Sequence, residues 1–463
     1  MGILFSDGKV VLEDEVIEAD LYVEDGMIEE IGDIDPGEVR AEKIKDISGN
    51  YILPGIIDAH THYALNSRGT VTEEGFFSGT SSAARGGVTS FIDFSPHRED
   101  RSLPSSARAR IDQARESSVI DFNLHQTVHY YDEDVAEELE RIREMGISSI
   151  KLFTTYKDAG YLVPAADRAL LMERCDEVGL LPTVHAEDDD LVEKAKNNML
   201  QGVVSADDLK MKDHPDLRPA RAEAEAIEGL CRQALEQNLP LYVDHISSAA
   251  GLDKLLEYRK SGARIAGETT PHYLLLDRSF LEGDEPEKYF MVPPLREKKD
   301  CQRLIQALKD EELDVVATDH CAFSLQQKRQ RYNPLEMLPG IPGSETLLPL
   351  IHELLVVREG ADYSHLSRFL STNPARLFGL YPQRGVIREG SVADLVILDP
   401  DCERSLSEEN LHSAAGYSPY SHISVSGYPV MTVARGEIIV EEDEYRGERG
   451  RGEFIEADIS SLL

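Results

Sequence analysis

Basic side chains are scarce for a chain of this size: 48 Lys and Arg stand against 86 Asp and Glu, a formal net charge of −38 over 463 residues. A field of that sign repels nucleic-acid phosphates and anionic lipid, so neither is expected as a partner. The basic residues present favour arginine over lysine, and the acids fall in short dispersed clusters such as EDDD (187–190) and VEEDE (440–444). Two readings fit such a solvated surface: adaptation to high salt, and an ordinary acidic cytosolic enzyme.

Cysteine is sparse too. Cys175, Cys231, Cys301, Cys321 and Cys402 are odd in number and never spaced as CxxC, which argues against a disulfide framework or a thiolate zinc site and fits a reducing compartment. No run reaches the roughly 18 consecutive apolar residues of a membrane span. The opening MGILFSDGKVVLEDE has too short an apolar core for a signal peptide. The expectation is a soluble, cytoplasmic protein. A GxGxxG after the first strand candidate is also missing, as are repeats at solenoid period and low-complexity tracts.

What is present is a regular alternation of apolar runs and amphipathic segments. Eight strand candidates follow one another: YILPGIIDAHTH, GVTSFIDF, FNLHQTVHY, ISSIKLF, LLPTVHAE, PLYVDHISS, ARIAGETTPHYL and LDVVATDHCAF. Helical periodicity follows most of them, as in DVAEELERIREMG, ADRALLMERCDEVG and RAEAEAIEGLCRQALEQ. Eight such units predict a closed (β/α)8 barrel over 54–383. Residues 1–53 and 384–463 read instead as short strands with turn signals, among them Asp25-Gly26. Neither end is large enough alone, so the two are expected to fold together as one small β-sandwich domain.

Active sites of such barrels lie at the C-terminal ends of the strands, and polar residues gather there. His60 and His62 end the first strand, Lys151 lies in the fourth, His185 ends the fifth, His245 the sixth and Asp319 the eighth. His60 and His62, two apart on a strand, share a face. Each alone has a bland reading. A single histidine is more often a satisfied polar residue, which is the reading given to His97, His125, His129, His214, His272, His352, His365, His412 and His422. Lys151 alone reads as a surface or capping lysine and Asp319 as a helix cap. As a set they are harder to dismiss.

Imidazole and carboxylate suit zinc and its neighbours. An ammonium has no lone pair, but a buried lysine that captures carbon dioxide becomes an anionic carbamate with two oxygens. Such a carbamate would bridge two divalent ions, one on His60, His62 and Asp319, the other on His185 and His245. A hydroxide between them would be the nucleophile, with Asp319 as general base and then general acid. The reaction class is metal-assisted hydrolysis.

These residues, together with PGIIDAHTHY, GTVTEEGFFSGTSSAARGGVTSFIDF, SIKLFTTYK, GETTPHYL, PPLRE, ATDHCAF and STNPARLFGLYPQRGVIREGSVADLVILDP, resemble the amidohydrolase superfamily and, within it, the hydantoinase and dihydropyrimidinase group of cyclic amidohydrolases. The resemblance runs nearly the whole length. It implies a carboxylated Lys151 bridging two metals, often zinc, with Mn2+, Co2+ or Fe2+ as alternatives. It implies Tyr156 as donor to the developing oxyanion and main-chain recognition of the cyclic ureide or imide edge near Val292 and Gly340. It also implies a homo-oligomer, commonly a tetramer.

The product class would be an N-carbamoyl amino acid, from a 5,6-dihydropyrimidine or a 5-substituted hydantoin. Dihydroorotases usually place an arginine just after the histidine pair; here Tyr63 and Ala64 follow, with no arginine until Arg68. LPGIPGSETLLPL resembles allantoinase or dihydroorotase sequences, which makes allantoinase the second reading, ahead of dihydroorotase. A non-catalytic scaffold of the same fold is the third, although no ligand position is missing. Thr270 and Val292 depart from the cysteine and serine common in the group. Tyr63, Leu65, Phe153 and Tyr161, with the YALNSRG loop, are expected to wall the pocket.

Overall fold

The computed structural model describes residues 2–458. Its centre is an eight-stranded parallel sheet, with strands in chain order at Ile56–Thr61, Val88–Ser95, Asp121–Thr127, Ser149–Phe153, Leu181–His185, Leu241–Val243, Ile265–Thr269 and Val315–Val316. Each coincides with a sequence candidate, with Ser95 and Asp121 extending two of them by one residue. Each strand pairs in parallel with the next. The ring closes where Thr61 bridges His320 and the His62 N–H donates to the His320 carbonyl at 2.8 Å. Inside the barrel Ala59, Ile92, Leu181, Tyr242, Ala266, Val315 and Ala317 pack with Leu377 and Phe378, so the interior is a filled core beneath the strand ends.

The expected helices form at Glu133–Glu144, Ala165–Val178 and Ala220–Gln237. Their apolar faces close over the outside of the strands in the largest core cluster, which joins Leu139 and Ile142 to Ile150, and Ile227 and Leu230 to Val243. Side-chain caps begin several helices where the chain turns back from a strand. Asp132 accepts from the Val135 N–H, Asp188 from Leu191 and Ser248 from Gly251.

A second sheet has nine strands and takes them from both chain ends. The seam is Tyr51–Pro54, which pairs in parallel with Gly2–Val11 and antiparallel with Leu395–Ser405. Ile3, Phe5, Leu21 and Ile52 share one buried cluster with Leu395, Ile397, Met431 and Val433, which makes this the β-sandwich domain built by both ends. The Asp25-Gly26 turn is present, with both residues at positive φ between Val16–Glu24 and Met27–Gly32.

Candidate active site

The barrel brings the sequence-selected side chains to one place. His60 Nε2 lies 3.3 Å and His62 Nε2 3.1 Å from Asp319 Oδ1. Opposite them, His185 Nδ1 and His245 Nε2 are 3.1 Å apart, and the His60 and His245 ring centroids are separated by 5.3 Å. Lys151, 2% exposed, hydrogen-bonds Asp244 and stands 5.3 Å from each of the Phe94 and Phe153 rings. The chain leaves the strands sharply here: Tyr156 (φ +66°), His245 (φ +34°) and Asp319 (φ +49°) all occupy the left-handed region that non-glycine residues avoid. Backbone strain of this kind concentrates where surrounding structure enforces a functional geometry.

A ring of carboxylates beneath the histidines orients them, and the sequence reading missed it. Glu268 Oε1 is 2.9 Å from His60 Nδ1, and the same carboxylate accepts from the Tyr242 hydroxyl at 2.8 Å and the His245 N–H at 3.0 Å. Glu187 Oε2 is 2.8 Å from His185 Nε2 and is itself held by Arg218. With the outer ring N–H donated downward, His60 Nε2 and His185 Nδ1 keep their lone pairs for the centre. Asp58 accepts from the Thr318 N–H at 3.1 Å and hydroxyl at 2.6 Å, bracing the turn that presents Asp319.

Electrostatics favour neutral imidazoles. Burial, then Lys151 and His62, hold His60 well below its ordinary value; burial, His185 and Lys151 do the same to His245. Burial also lowers His185, with Glu187 pulling the other way. Burial alone would raise Glu187, but Arg218 and His185 bring it below the usual carboxylate range. Burial raises the Tyr156 phenol, against Arg218, so it stays a proton donor. The donor set fits divalent cations: ligand atoms of His60, His62 and Asp319 lie within 4.8 Å of one another, as do those of His60, Asp244 and Glu268.

Above this floor opens a cavity of about 1040 Å³. His62, Phe94, Phe153, Tyr156, Arg218 and Val292 line it, as do Leu65 and Tyr161 from the expected wall. Tyr63 is different. It is fully buried, its hydroxyl donating to Ser344 Oγ at 2.8 Å and its ring against Phe76 and Phe91, so it belongs to the core. One residue on from His62, it turns to the opposite side of the chain. Gly340 also lies off the cavity lining, one residue beyond Pro339, and its N–H is spent on the Phe290 carbonyl at 3.0 Å. Of the histidines given a bland reading, His125 is satisfied by Ser149 and the Ala59 carbonyl, whereas His97, His129 and His214 line the cavity.

Residues 51–439 match the model of the amidohydrolase family. The chain belongs to that family and, within it, to the hydantoinase and dihydropyrimidinase group. It is 36% identical to the D-hydantoinase of Geobacillus stearothermophilus over 460 residues, 98% of this chain and 96% of the relative. To a D-phenylhydantoinase of Escherichia coli O81 it is 34% identical, with 98% of each covered. The crystal structure of dihydropyrimidinase from Brevibacillus agri NCHU1002 superposes with a TM-score of 0.95 at 33% identity over 100% of both chains. These relatives favour the hydantoinase reading over allantoinase. No helix among the described residues is long and apolar enough to cross a membrane.

Proposed function

We propose that this protein hydrolyses a cyclic amide, opening a 5,6-dihydropyrimidine or a 5-substituted hydantoin to the N-carbamoyl amino acid. The observation that carries the reading is the convergence of His60, His62, Asp319, His185 and His245 around buried Lys151 under one cavity, in a chain of the hydantoinase group. In this reading His60, His62 and Asp319 would hold one divalent ion and His185 and His245 a second, with Lys151, once carboxylated, supplying carbamate oxygens to both. Zinc is the first candidate by ligand chemistry, with Mn2+, Co2+ and Fe2+ as alternatives. Such ions supply Lewis acidity and a water acidic enough to react at neutral pH.

The chain's own groups do the rest. Asp319 accepts the proton of the attacking water and hands it to the ring nitrogen as the C–N bond breaks. The Tyr156 phenol donates to the carbonyl oxygen as that carbon becomes tetrahedral. Glu268 and Glu187 keep His60 and His185 in the tautomers the site needs. Main-chain groups beside Val292, in the cavity wall, read the ureide edge; Gly340 is off that wall with its N–H engaged, so on its side the contact would come from the chain at neighbouring Pro339.

The catalytic barrel spans 54–383 in this reading, and 1–53 with 384–463 form the sandwich domain. The working form is a cytoplasmic homo-oligomer, a tetramer by likeness to the group. Five free cysteines fit the reducing compartment. A substrate panel of dihydrouracil, hydantoin, allantoin and dihydroorotate tests the assignment. Turnover of the first two supports it; turnover confined to allantoin or dihydroorotate, or none by metal-loaded protein, overturns it.

A further inference from the structure

The cavity mouth inverts the charge of the molecule. In a chain with almost twice as many acids as bases, the cavity is lined by seven Arg or Lys and three Asp or Glu. Three of those cations are already paired: Arg110 with Asp93, Arg218 with Glu187 and Lys196 with Glu193. Arg68, Arg98, Arg101 and Lys157 make no ion pair among the described residues, although Glu336 acts on Arg68 from nearby, Glu99 and Asp100 adjoin Arg98 in the chain, and Asp158 and Asp189 line the cavity beside Lys157. They come from the loops after the first, second and fourth barrel strands, so they face one opening from three sides.

Arg68 is the most committed of the four. It sits in a tight hairpin between Asn66–Ser67 and Thr70–Val71, whose two central residues, Arg68 (φ +48°) and Gly69 (φ +82°), are both left-handed. Asn or Gly adopts that first position without strain; arginine does not. The side chain is nevertheless held in place, one terminal nitrogen donating to the Met337 carbonyl at 2.9 Å and the Leu335 carbonyl at 3.3 Å. The other N–H groups of the guanidinium have no hydrogen-bond partner among the described residues, which leaves them for a ligand. The charge of Arg68 also reaches the Tyr156 phenol, which ties the mouth to the reacting end of the cavity. Between them Leu65, Val71, Phe153 and Tyr161 give an apolar wall.

We propose that the substituent this enzyme selects on its cyclic ureide is an aliphatic stem ending in an anion, a carboxylate in the simplest case, with the stem along the apolar wall and the anion on Arg68 at the mouth. The inference rests on the hydrolase reading above and names its substrate class. The patch also has a kinetic role: a cationic funnel on an acidic surface steers anionic ligands inward, and the effect is screened by salt. The hydrolysis itself is unchanged. Water gives its hydroxyl to the ring carbonyl carbon and its proton to the departing nitrogen, and the product of a carboxyethyl hydantoin is an N-carbamoyl dicarboxylate.

The test compares 5-(2-carboxyethyl)hydantoin with its neutral isostere 5-(2-carbamoylethyl)hydantoin on the metal-loaded full chain. The expected result is a preference in kcat/KM of about tenfold or more for the carboxylate at low salt, expressed mainly in KM, as charge-assisted hydrogen bonds allow. That preference falls towards parity in Arg68→Gln and shrinks as sodium chloride is raised. Arg98→Gln/Arg101→Gln, changed at exposed loop positions, lowers it partly. Equal use of both substrates by the unaltered protein overturns the inference and leaves the hydrolase reading standing, as does a preference untouched by Arg68→Gln. Failure to open either ring overturns both.

Discussion

His185 Nε2 lies 2.8 Å from Glu187 Oε2, and the same carboxylate oxygen receives Arg218 Nε at 3.0 Å. The imidazole is therefore fixed from behind by an anion that is itself fixed, and its Nδ1 is left facing His245. Carboxylates behind metal-ligating histidines set ring orientation and basicity. Glu187→Gln is expected to weaken divalent-metal binding by about 10–100-fold with the fold retained, read by competition with a chelator. Glu187→Ala is expected to destabilise the protein as well, because it leaves Arg218 without its carboxylate. An unchanged affinity in Glu187→Gln would remove this residue from the account.

Tyr156 carries a second prediction. Its phenol is buried and kept protonated, with the Arg218 guanidinium 4.9 Å from its ring centroid and His185 beside it at 5.2 Å. Tyr156→Phe keeps the ring contacts and removes only the donor. The expected loss is about 10²–10³-fold in kcat, with KM little changed, because the hydrogen bond strengthens as charge develops on the oxygen. A variant whose KM rises while kcat holds would assign Tyr156 to ground-state binding instead.

Lys328 makes a prediction away from the chemistry. It is fully buried beneath the cavity wall and donates to the Glu287 and Phe290 carbonyls at 2.9 and 3.1 Å. Burial pulls its ammonium down to about 7, with Cys321 and Glu287 opposing. The unfolded chain, with an ordinary lysine value, then binds more protons than the folded one between that pH and about 10.4. Stability from this group therefore rises with pH across that window and is level below it. Chemical denaturation at pH 7, 8, 9 and 10 should show the folded protein gaining relative to Lys328→Met. Parallel profiles would mean that Lys328 titrates normally.

The barrel was legible because each strand is a short apolar run with a polar end, and the six site residues sit at or near those ends. The supporting shell was not. Glu268 meets His60 across 208 positions, and in so acidic a chain a single glutamate carries no signal of burial. Glu187 hid inside EDDD, which reads as a solvated cluster, although it is fully buried. Tyr63 was assigned to the pocket from its neighbours; its position one residue after His62 was the available clue that it faces the core. Arg68 was passed over because it stands too far along the chain from the histidine pair, whereas the hairpin at 66–71 returns it to the cavity mouth.

The central claim is that Lys151 joins two metal positions into one hydrolytic centre. Lys151 lies buried between Phe94 and Phe153 with Asp244 as its carboxylate partner. Metal content and hydantoin ring opening, measured on the same preparations of the unaltered protein and of Lys151→Ala, test it most directly. The account predicts two divalent ions per chain and ring opening in the unaltered protein, with both lost in the variant. A Lys151→Ala protein that still opens the ring at the unaltered rate would contradict it.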